Sequence, residues 1–293
     1  MWKPEDLYTV VCRPALPKDT PDVIALTKTI WEGHDYVPIV WQDWLTDPEG
    51  LLAVAEYGGR AVGVVKLSLL APGEWWLEGL RVDPEFQGRH IASHMHHYIV
   101  DYWARCGDGA LRLITYREQV KSLCIRTGFI SRCDYSLYLA PVLEGPDPDF
   151  ARVAPGEAAL ALDFARQSPV CACAAGLMDV GWHWIALTLP AMEAAVSAGL
   201  AWWWRGQQGL IIVREDEDQV DGVEEKLPYI QLLACRPPRA AACLEAYRRL
   251  AAALGYRHAA LNASVAGELP AALAEAGFQR MWEGSVSLFE RTK

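Results

Sequence analysis

The stretch from Trp75 to Ala92 constrains this chain more than any other part of its sequence. Its pattern predicts an apolar strand up to Val82, a proline turn, and a basic, glycine-bearing loop that leads into a helix beginning at Ile91. Successive backbone N–H groups in such a loop point outward, and the helix dipole adds partial positive charge there. The sequence therefore predicts a backbone cradle for an anionic group, with Arg89 inside it.

This loop resembles the pyrophosphate-binding motif of the GCN5-related N-acetyltransferases, the GNAT family. The family pattern is Gln or Arg, two residues, Gly, one residue, and then Gly or Ala. Gln87 and Ala92 fill its ends, whereas His90 stands at the place of the central glycine. The resemblance implies acetyl-CoA as the cosubstrate. The residues implied to bind it are Leu80, Arg81, Val82, Gln87, Gly88, Arg89, His90, Ile91 and Ala92.

His90 is the departure from the family pattern that bears most on binding. Glycine at this place lets the backbone approach a phosphate closely, whereas a histidine adds bulk. The histidine ring can also point outward or donate a hydrogen bond to the phosphate. We expect acetyl-CoA binding to be retained but weakened, and a site closed by His90 is the alternative.

Apolar periodicity gives the first half the order β-α-α-β-β-β-α-β-α-β, which is also the GNAT order. The pair Gly58-Gly59 between two apolar runs is a hairpin signal, and Gly128 is placed to end a helix. The first predicted strand covers Thr9 to Arg13, and the last one covers Tyr135 to Leu139. The mixed order predicts one parallel pair of strands, with one strand before and one strand after the helix that begins at Ile91.

A segment at 141–149 carries three prolines and three acidic residues and is the obvious linker. The pattern before it recurs weakly after it, since Gly277-Phe278 follows a strand and a helix as Gly128-Phe129 does. We therefore predict an α/β (α+β) tandem GNAT fold, with a mixed central sheet and helices on both faces in each half. The predicted parts are an N-terminal GNAT domain at 1–140, the linker at 141–149, and a degenerate GNAT-like domain at 150–293.

The second half lacks the cradle sequence. Where the loop would recur, the chain has Pro237 and Pro238 and no glycine. Proline has no N–H group, so this turn cannot supply the same row of donors. We expect the second half to act as a scaffold that completes the site of the first half or a dimer surface.

Composition excludes several classes of protein. The chain has 293 residues, of which 52% are hydrophobic and 22% charged, so it can bury a large core. Its net charge of −10 argues against nucleic acid as a partner, because phosphate binding needs clustered Lys and Arg. The run from Trp184 to Trp204 is apolar but contains Pro190 and Glu193, which favours buried core over a membrane span. The N-terminus shows no secretory signal, and a cytoplasmic location is expected.

Metal binding is not expected. The eight cysteines include no CxxC pair, and Cys171 with Cys173 lacks a second ligand pair at suitable spacing. His94 and His97 have i, i+3 spacing on a helix but no evident carboxylate or thiol partner. We expect free thiols in a reducing compartment and histidines that are exposed or packed.

Acetyl transfer requires a base, and the resemblance places one on the strand before the cradle. Glu78 is a carboxylate in an otherwise apolar strand, and a modest base suffices for a free amine with a pKa of about 8. Regular alternation puts residues 76, 78, 80 and 82 on one face, which leaves a solvent-facing Glu78 as the alternative. Cys124 stands where the family often has a Tyr that acts as the general acid. The alternative is that Cys124 is only a small buried residue of the core. Tyr116 is a substitute acid.

The acceptor pocket is expected between the first two helices and the strands. Acidic and aromatic groups there suit an ammonium or imidazole group through charge pairing and cation–π contact. The alternative is a solvated loop over packed tryptophans. The predicted substrate-binding residues are Glu32, His34, Asp35, Tyr36 and Trp41, with Trp44 beside them. The His-Asp-Tyr-Val-Pro segment here and the Leu-Glu-Gly-Leu-Arg-Val strand resemble the tandem branch that contains histidine N-acetyltransferases.

These observations predict an acetyl-CoA-dependent N-acetyltransferase. The expected acceptor is a primary amine of a small molecule, an amino acid being one class, and the amine attacks the thioester directly. A non-catalytic acyl-CoA-binding or sensing protein is the alternative, and acetylation of a protein substrate stays open. The chain is expected to act as a monomer or homodimer, without a metal, nucleic acid or membrane partner.

Overall fold

The computed structural model describes residues 10–28, 30–146, 148–220 and 222–293. Thr9, predicted to open the first strand, and Asp147, in the predicted linker, lie outside these residues. As far as residue 141 the elements are β1 Val11–Pro14, α1 Thr20–Thr27, α2 Val37–Thr46, β2 Leu51–Tyr57, β3 Arg60–Ala71, β4 Glu74–Val82, α3 Ile91–Cys106, β5 Ala110–Thr115, α4 Glu118–Arg126 and β6 Ile130–Pro141.

The later elements also alternate between strands and helices, with more elements and in a different order. They are β7 Phe150–Arg152, α5 Ala158–Arg166, α6 Pro169–Cys173, β8 Leu177–Asp179, β9 Trp184–Ala186, α7 Leu189–Ser197, β10 Ala201–Trp204, β11 Gly209–Val220, β12 Val223–Cys235, α8 Ala240–Ala253, β13 His258–Ser264, α9 Leu269–Glu275, β14 Gln279–Arg280 and β15 Val286–Thr292. The predicted fold class, α/β with mixed sheet and helices, is confirmed.

The described residues pack as two units that do not follow the chain order. The first unit contains residues up to Leu113 together with Ser122–Ile130 and Glu290–Lys293, and the second contains Ile114–Lys121 and Ser131–Phe289. Strand β6 therefore packs in the second unit, where it pairs antiparallel with β13. The last four residues of the chain pack in the first unit. The domain boundary at 141–149 stays a prediction. In the packing units, most of β6 belongs with the second half of the chain, and the last four residues belong with the first half.

In the first unit, β1 to β5 lie in sequence order within the sheet. Neighbours are antiparallel from β1 to β4, and β4 pairs parallel with β5. The predicted hairpin at Gly58 and Gly59 is confirmed, and both glycines have positive φ, at 58° and 83°. Helices cover both faces of this sheet. Val54 and Val64 pack against Val23 of α1 and Val37 of α2, whereas Gly63 faces Met95 of α3.

The chain terminus is held in the first unit by a buried ion pair. Arg112 of β5 is 4% exposed, and its Nε donates to Oε2 of Glu290 at 2.7 Å. Its Nη1 also donates to Glu74 of β4. Arg291 donates to the carbonyl oxygen of Thr127 at 2.9 Å. The end of β15 is thereby tied to β4, β5 and the end of α4 by charge-assisted hydrogen bonds.

In the second unit the strand order is β6-β13-β12-β11-β10-β7. Only a short stretch of β12 pairs parallel with β13, at Tyr229 with Ala260 and at Ile230 with Leu261. Strands β11 and β12 form a long antiparallel hairpin that includes the acidic residues Glu215–Asp218 and Glu224–Glu225. Acidic residues disfavour strands intrinsically, but the ladder to β12 overrides this preference. The run from Trp184 to Trp204 forms β9, α7 and β10.

Among the residues that the structure describes, no helix is both long and apolar enough to cross a membrane. Within the same residues, no group of three or more His, Cys, Asp or Glu side chains is arranged to hold a metal ion. His94 and His97 are exposed on α3, and His96 is buried. All eight cysteines are free thiols.

His96 gives this fold an acid-sensitive position. The ring is fully buried, Nε2 contacts Oγ1 of Thr127 at 2.9 Å, and Nδ1 has no hydrogen-bond partner. Burial, with repulsion from His97 and Arg291, lowers the pKa of His96 from 6.5 to about 4. The unfolded chain therefore binds the proton more readily, and stability falls as the pH drops from about 6.5 towards about 4.

We expect the free energy of unfolding of the wild type to fall by about 2 kcal/mol between pH 7.5 and pH 5 because of His96. His96→Gln should remove most of this pH dependence, measured by urea unfolding at both pH values. His94→Gln is the matched control on the exposed face of the same helix and should keep it. An unchanged pH dependence in His96→Gln would assign the acid sensitivity to other groups.

Candidate active site

Strand β4 carries a β-bulge at Gly79 and Leu80. Lys66 lies opposite Glu78 and Val64 opposite Arg81, so β4 has one residue more than β3 in this interval. Opposed residues share a face of the sheet, and residues two apart on β3 also share one. Glu78 and Arg81 therefore lie on the same face. This corrects the expected alternation, which put Arg81 on the face opposite Glu78 because it assumed a regular strand.

Glycine is required at position 79 for two reasons. Its φ is +63°, in the left-handed region where a side chain is strained. A Cβ there would also lie 2.6 Å from Cη2 of the Trp44 ring. The Trp44 indole thus packs directly on the bulge. The bulge and the tryptophan from α2 form one wall of the candidate site.

Beyond the bulge, β4 separates from its parallel neighbour. In the described residues, β4 pairs with β5 only at Glu74, Trp75 and Trp76. The rest of β4, from residue 77 to residue 82, has no pairing with β5. Its backbone groups on that side are consequently available to an extended ligand, which can add to an open strand edge through main-chain hydrogen bonds.

The loop after β4 is built by local hydrogen bonds. Oδ1 of Asp83 accepts from the N–H of Glu85 at 3.0 Å, and the Gln87 amide donates to the Val82 carbonyl at 3.1 Å. The Arg89 guanidinium lies 5.0 Å from the centroid of the Phe86 ring. These contacts fold the loop into a compact turn before α3.

After this turn, α3 begins with backbone N–H groups that no side chain caps. His90 is the N-cap of α3, and its side chain makes no capping hydrogen bond. The N–H of His94 is the first to bond to the His90 carbonyl, so the preceding N–H groups of the helix have no acceptor within it. A Cβ on Gly88 would meet no atom within 4 Å. The cradle geometry expected from the sequence is present, and it is open around Gly88.

The conformation of His90 explains the glycine of the family pattern. Its φ is +61° and its ψ is 9°, which is the left-handed region. Most side chains pay about 1–2 kcal/mol there, although histidine is among the residues that adopt it more often. The His90 side chain is exposed, and the departure from glycine places the strain in the backbone at this position.

Substitutions at His90 should therefore rank by their tolerance of positive φ. We expect His90→Gly to be as stable as the wild type within about 1 kcal/mol, because relief of strain offsets the greater freedom of the unfolded chain. His90→Val should lose about 1–2 kcal/mol, since a β-branched residue fits this region poorly. Urea unfolding gives the ranking. Equal stability of the glycine and valine variants would contradict the left-handed conformation.

On the face shared by Glu78 and Arg81, an ion pair lies under aromatic rings. Arg81 donates to Asp35 through Nε at 2.8 Å and Nη2 at 3.2 Å. The guanidinium lies 4.5 Å from the Trp31 ring centroid and 5.5 Å from that of Tyr36. Arg81 therefore points to the loop after α1. Its predicted role in cofactor binding stays a prediction.

Tyr36 contacts the bulge itself. Its hydroxyl accepts from the N–H of Gly79 at 3.1 Å, and its ring packs edge-on to Trp44 at 6.0 Å. Burial, with the charge of Glu78 as a second cause, raises the pKa of Tyr36 above its ordinary value. The phenol therefore keeps its proton at neutral pH and has it available to donate. This hydrogen bond could not be read from the sequence, which predicted Tyr36 only as a substrate contact.

Glu78 is held beside two polar residues of β3. Oγ of Ser68 donates to Oε1 of Glu78 at 2.6 Å. Lys66 lies opposite Glu78 in the ladder, but its buried ammonium group pairs with Asp47. Glu78 is half-buried, so the carboxylate is oriented and still reachable. Sequence analysis missed Ser68, because a serine in an apolar strand has no signal until the cross-strand register is known.

The remaining predicted residues fall in different environments. Glu32 and His34 are exposed, and Trp31 and Glu32 have left-handed φ values of 46° and 59°. Trp41 does not line the site: it is 2% exposed in the core, and its indole N–H donates to Thr20 at 2.9 Å. Its position on the inner face of α2 places it there, which corrects its prediction as an acceptor contact.

The two alternative acids have different environments. The Cys124 thiol is fully buried, and burial raises its pKa to about 12. This environment favours the packing role that the sequence also allowed. Tyr116 is 53% exposed and belongs to the second packing unit, with Arg117 5.8 Å from its ring centroid.

The comparison with known families agrees with this geometry. Residues 20–123, which include the bulge, the cradle and α3, match the model of the Acetyltransferase (GNAT) family. This segment is a GNAT acetyltransferase domain. Its bulge and cradle lie on β4 and at the start of α3, where the resemblance in the sequence had placed the cosubstrate.

Curated relatives of the GNAT domain include one protein from Xenopus tropicalis and one from Oreochromis niloticus. The histidine N-acetyltransferase of Xenopus tropicalis is 28% identical over 87 residues, covering 29% of this chain and 27% of that protein. The histidine N-acetyltransferase of Oreochromis niloticus is 30% identical over 80 residues, covering 27% and 24%. The matches thus span about a quarter of the length of these relatives.

A solved structure extends the similarity beyond the GNAT domain. The GCN5-related N-acetyltransferase from Sphaerobacter thermophilus aligns with a TM-score of 0.60 at 14% identity, over 97% of this chain and 95% of that chain. At this identity the similarity concerns the fold. The whole chain, and not only residues 20–123, therefore has the fold of a GNAT protein of similar length.

Proposed function

We propose that the chain transfers the acetyl group of acetyl-CoA to the primary amine of a small molecule, with α-amino acids as the first class to test. The observation that carries this proposal is the β4 bulge, which puts Glu78 and Arg81 on one face at the point where β4 leaves β5. The cradle lies in the loop that follows this strand. A general base, a cation and an anion-binding loop are thereby supplied by one short segment.

The residues present fit acetyl-CoA. The open N-terminus of α3 suits a pyrophosphate, and Arg89 adds positive charge. The separated edge of β4 suits the amide-bearing pantetheine arm, which can pair with it as an added strand. Acetyl-CoA supplies a thioester carbonyl that an amine can attack directly. A backbone N–H of this open edge that donates to the carbonyl would polarise it, a contribution worth about 3 kcal/mol per donor in other enzymes.

The side chains divide the proton transfers between them. Glu78, oriented by Ser68, takes a proton from the bound ammonium group and so frees the amine to attack. As the C–N bond forms and the C–S bond breaks, the nitrogen releases its second proton to water. Tyr36 keeps its proton and is placed on the bulge N–H, where it can donate to the departing sulfur. We infer this role for Tyr36 in place of Cys124, whose thiol is fully buried.

An α-amino acid suits the charges of this face. Its ammonium group is complementary to Glu78 and its carboxylate to Arg81, which keeps donors beyond those used by Asp35. The names of the Xenopus and Oreochromis relatives support an amino-acid acceptor. A cytoplasmic reaction is part of the proposal, and the acidic composition and the free thiols support it.

Calorimetric titration with acetyl-CoA tests the cradle. The wild type should bind at one saturable site, and Gln87→Ala combined with Arg89→Ala should weaken the affinity at least about tenfold, because a charged contact and the loop anchor are lost. Arg105→Ala, at the opposite end of α3, is the matched control for charge. Binding unaffected by the double variant would move the cosubstrate away from this loop.

A panel of amino acids tests transfer itself. We expect CoA release that depends on an amino acid and is measured with a thiol reagent. Intact acetyl-CoA affinity without CoA release from any amine would favour the acyl-CoA-binding alternative. Release with a protein substrate only would replace the small-molecule acceptor.

A further inference from the structure

The second packing unit contains a polar cleft that acetyl transfer in the first unit does not use. It is formed by the small β8–β9 sheet and by the β11, β12 and β13 strands. Its lining residues are Asp179, Gly181, Trp182, Arg214, Asp216, Glu217, Asp218, Tyr229, Gln231 and Asn262. All of them belong to the second unit.

The cleft lies where the parallel pair of this unit ends. Tyr229 and Ile230 of β12 pair with β13, and the following residues, Gln231 and Asn262, both line the cleft. This is the topological equivalent of the point at which β4 leaves β5 in the GNAT domain. Ligands of open α/β sheets commonly bind where neighbouring strands separate.

Two amides in the cleft have unused hydrogen-bonding capacity. Gln231 is 9% exposed, and its side chain has no hydrogen-bond partner among the described residues. The Asn262 amide donates to the buried Asp179 at 2.7 Å, whereas its Oδ1 is buried without a partner. Unpaired buried polar groups are costly. The Nε of Arg214, in the same cleft, is also buried without a partner. Together these groups indicate that a ligand supplies the missing partners, and Oδ1 of Asn262 requires a donor.

The charge of the cleft indicates which kind of hydrogen-bond donor the ligand carries. Three carboxyl groups line it, from Asp179, Asp216 and Asp218, against the single guanidinium of Arg214, which donates to Asp216. Asp179 already accepts from the N–H groups of Gly181 and Trp182, and Asp218 accepts from the Tyr229 hydroxyl. These bonds hold the acceptors in place. The Trp182 indole, stacked on Trp282 at 5.7 Å, adds an aromatic face that suits a cation.

We propose that this cleft binds a small organic cation through a primary ammonium group. An ammonium group has three donors and no acceptor, which matches the free oxygens of Gln231 and Asn262 together with a carboxylate. An anion is disfavoured by the excess of carboxyl groups. The site is separate from the acceptor site of the GNAT domain and uses none of its residues.

Ligand-observed NMR titration of the intact protein with n-butylammonium tests the proposal, with n-butanol and butanoate as neutral and anionic analogues. We expect saturable binding of the ammonium compound only. Gln231→Leu should weaken it about tenfold or more, since a hydrogen bond to a charged group is lost. Asp218→Asn should also weaken it, with less effect at high salt.

Two further variants separate this site from other ammonium sites. Glu215→Gln removes a carboxylate from the same strand but outside the cleft, and it should leave the affinity unchanged. Glu78→Gln removes the carboxylate of the GNAT domain and should also leave it unchanged. Binding that is lost in Glu78→Gln but retained in Gln231→Leu would overturn the proposal, as would equal binding of n-butanol.

Discussion

Glu78→Gln is expected to lower kcat/KM for acetyl transfer by about a hundredfold or more at pH 7, with the affinity for acetyl-CoA unchanged. Positioned general bases contribute about 10²–10⁴-fold, and glutamine retains the size of the side chain and a hydrogen bond to Ser68. The defect should shrink as the pH rises above about 8, because a free α-amine then loses its proton to water. Steady-state CoA release across pH, alongside titration with acetyl-CoA, gives both quantities.

The control for this experiment is a carboxylate on the neighbouring loop. Glu85→Gln removes an equal charge from an exposed position and should leave turnover intact. Ser68→Ala should give a smaller loss than Glu78→Gln, since it loosens the base without removing it. Turnover of Glu78→Gln equal to that of the wild type at every pH would exclude Glu78 from the mechanism.

Arg112→Met is expected to destabilise the first unit by about 3–5 kcal/mol. The substitution removes the buried guanidinium that pairs with both Glu74 and Glu290, and removing one partner of a buried ion pair typically costs this much. Chemical unfolding measures the loss. The variant should also expose the C-terminal residues to carboxypeptidase, because Glu290 no longer anchors them.

Two comparisons make this result specific. Arg105→Met removes an exposed arginine and should change the free energy of unfolding by less than about 0.5 kcal/mol. Glu290→Gln should lie between the two, since Arg112 then keeps Glu74. A loss below about 1 kcal/mol in Arg112→Met would show that the terminal segment is held by β-sheet pairing alone.

The elements that depend on local sequence were predictable. The turn at Gly58 and Gly59, the strand up to Val82 and the helix from Ile91 follow from glycine conformation, apolar periodicity and the loop between them. The acidic part of the β11–β12 hairpin was not predicted, because acidic residues signal loops and only the ladder to the partner strand makes them extended. The cleft residues Asp216 and Asp218 on this hairpin were missed for the same reason.

The site shows the same division. The cradle was predictable because its donors are consecutive backbone groups of one loop, and a loop of this kind is specified by its own glycines and by the helix that follows. Trp41 was misplaced, since the sequence cannot say which face of α2 turns inward. The hydrogen bond from Gly79 to Tyr36 joins residues far apart in the chain, and it depends on a bulge that exists only relative to β3.

The sequence alone determined that this chain forms a strand, an anion-binding loop and a helix in a GNAT order, because these features rest on interactions between near neighbours in the chain. The tertiary structure decided that Glu78 and Arg81 share a face, that β6 and Glu290–Lys293 are exchanged between packing units, and that Gln231 and Asn262 lack partners. These features arise from strand register and long-range pairing, and no local preference encodes a register that a single inserted residue on one strand can shift.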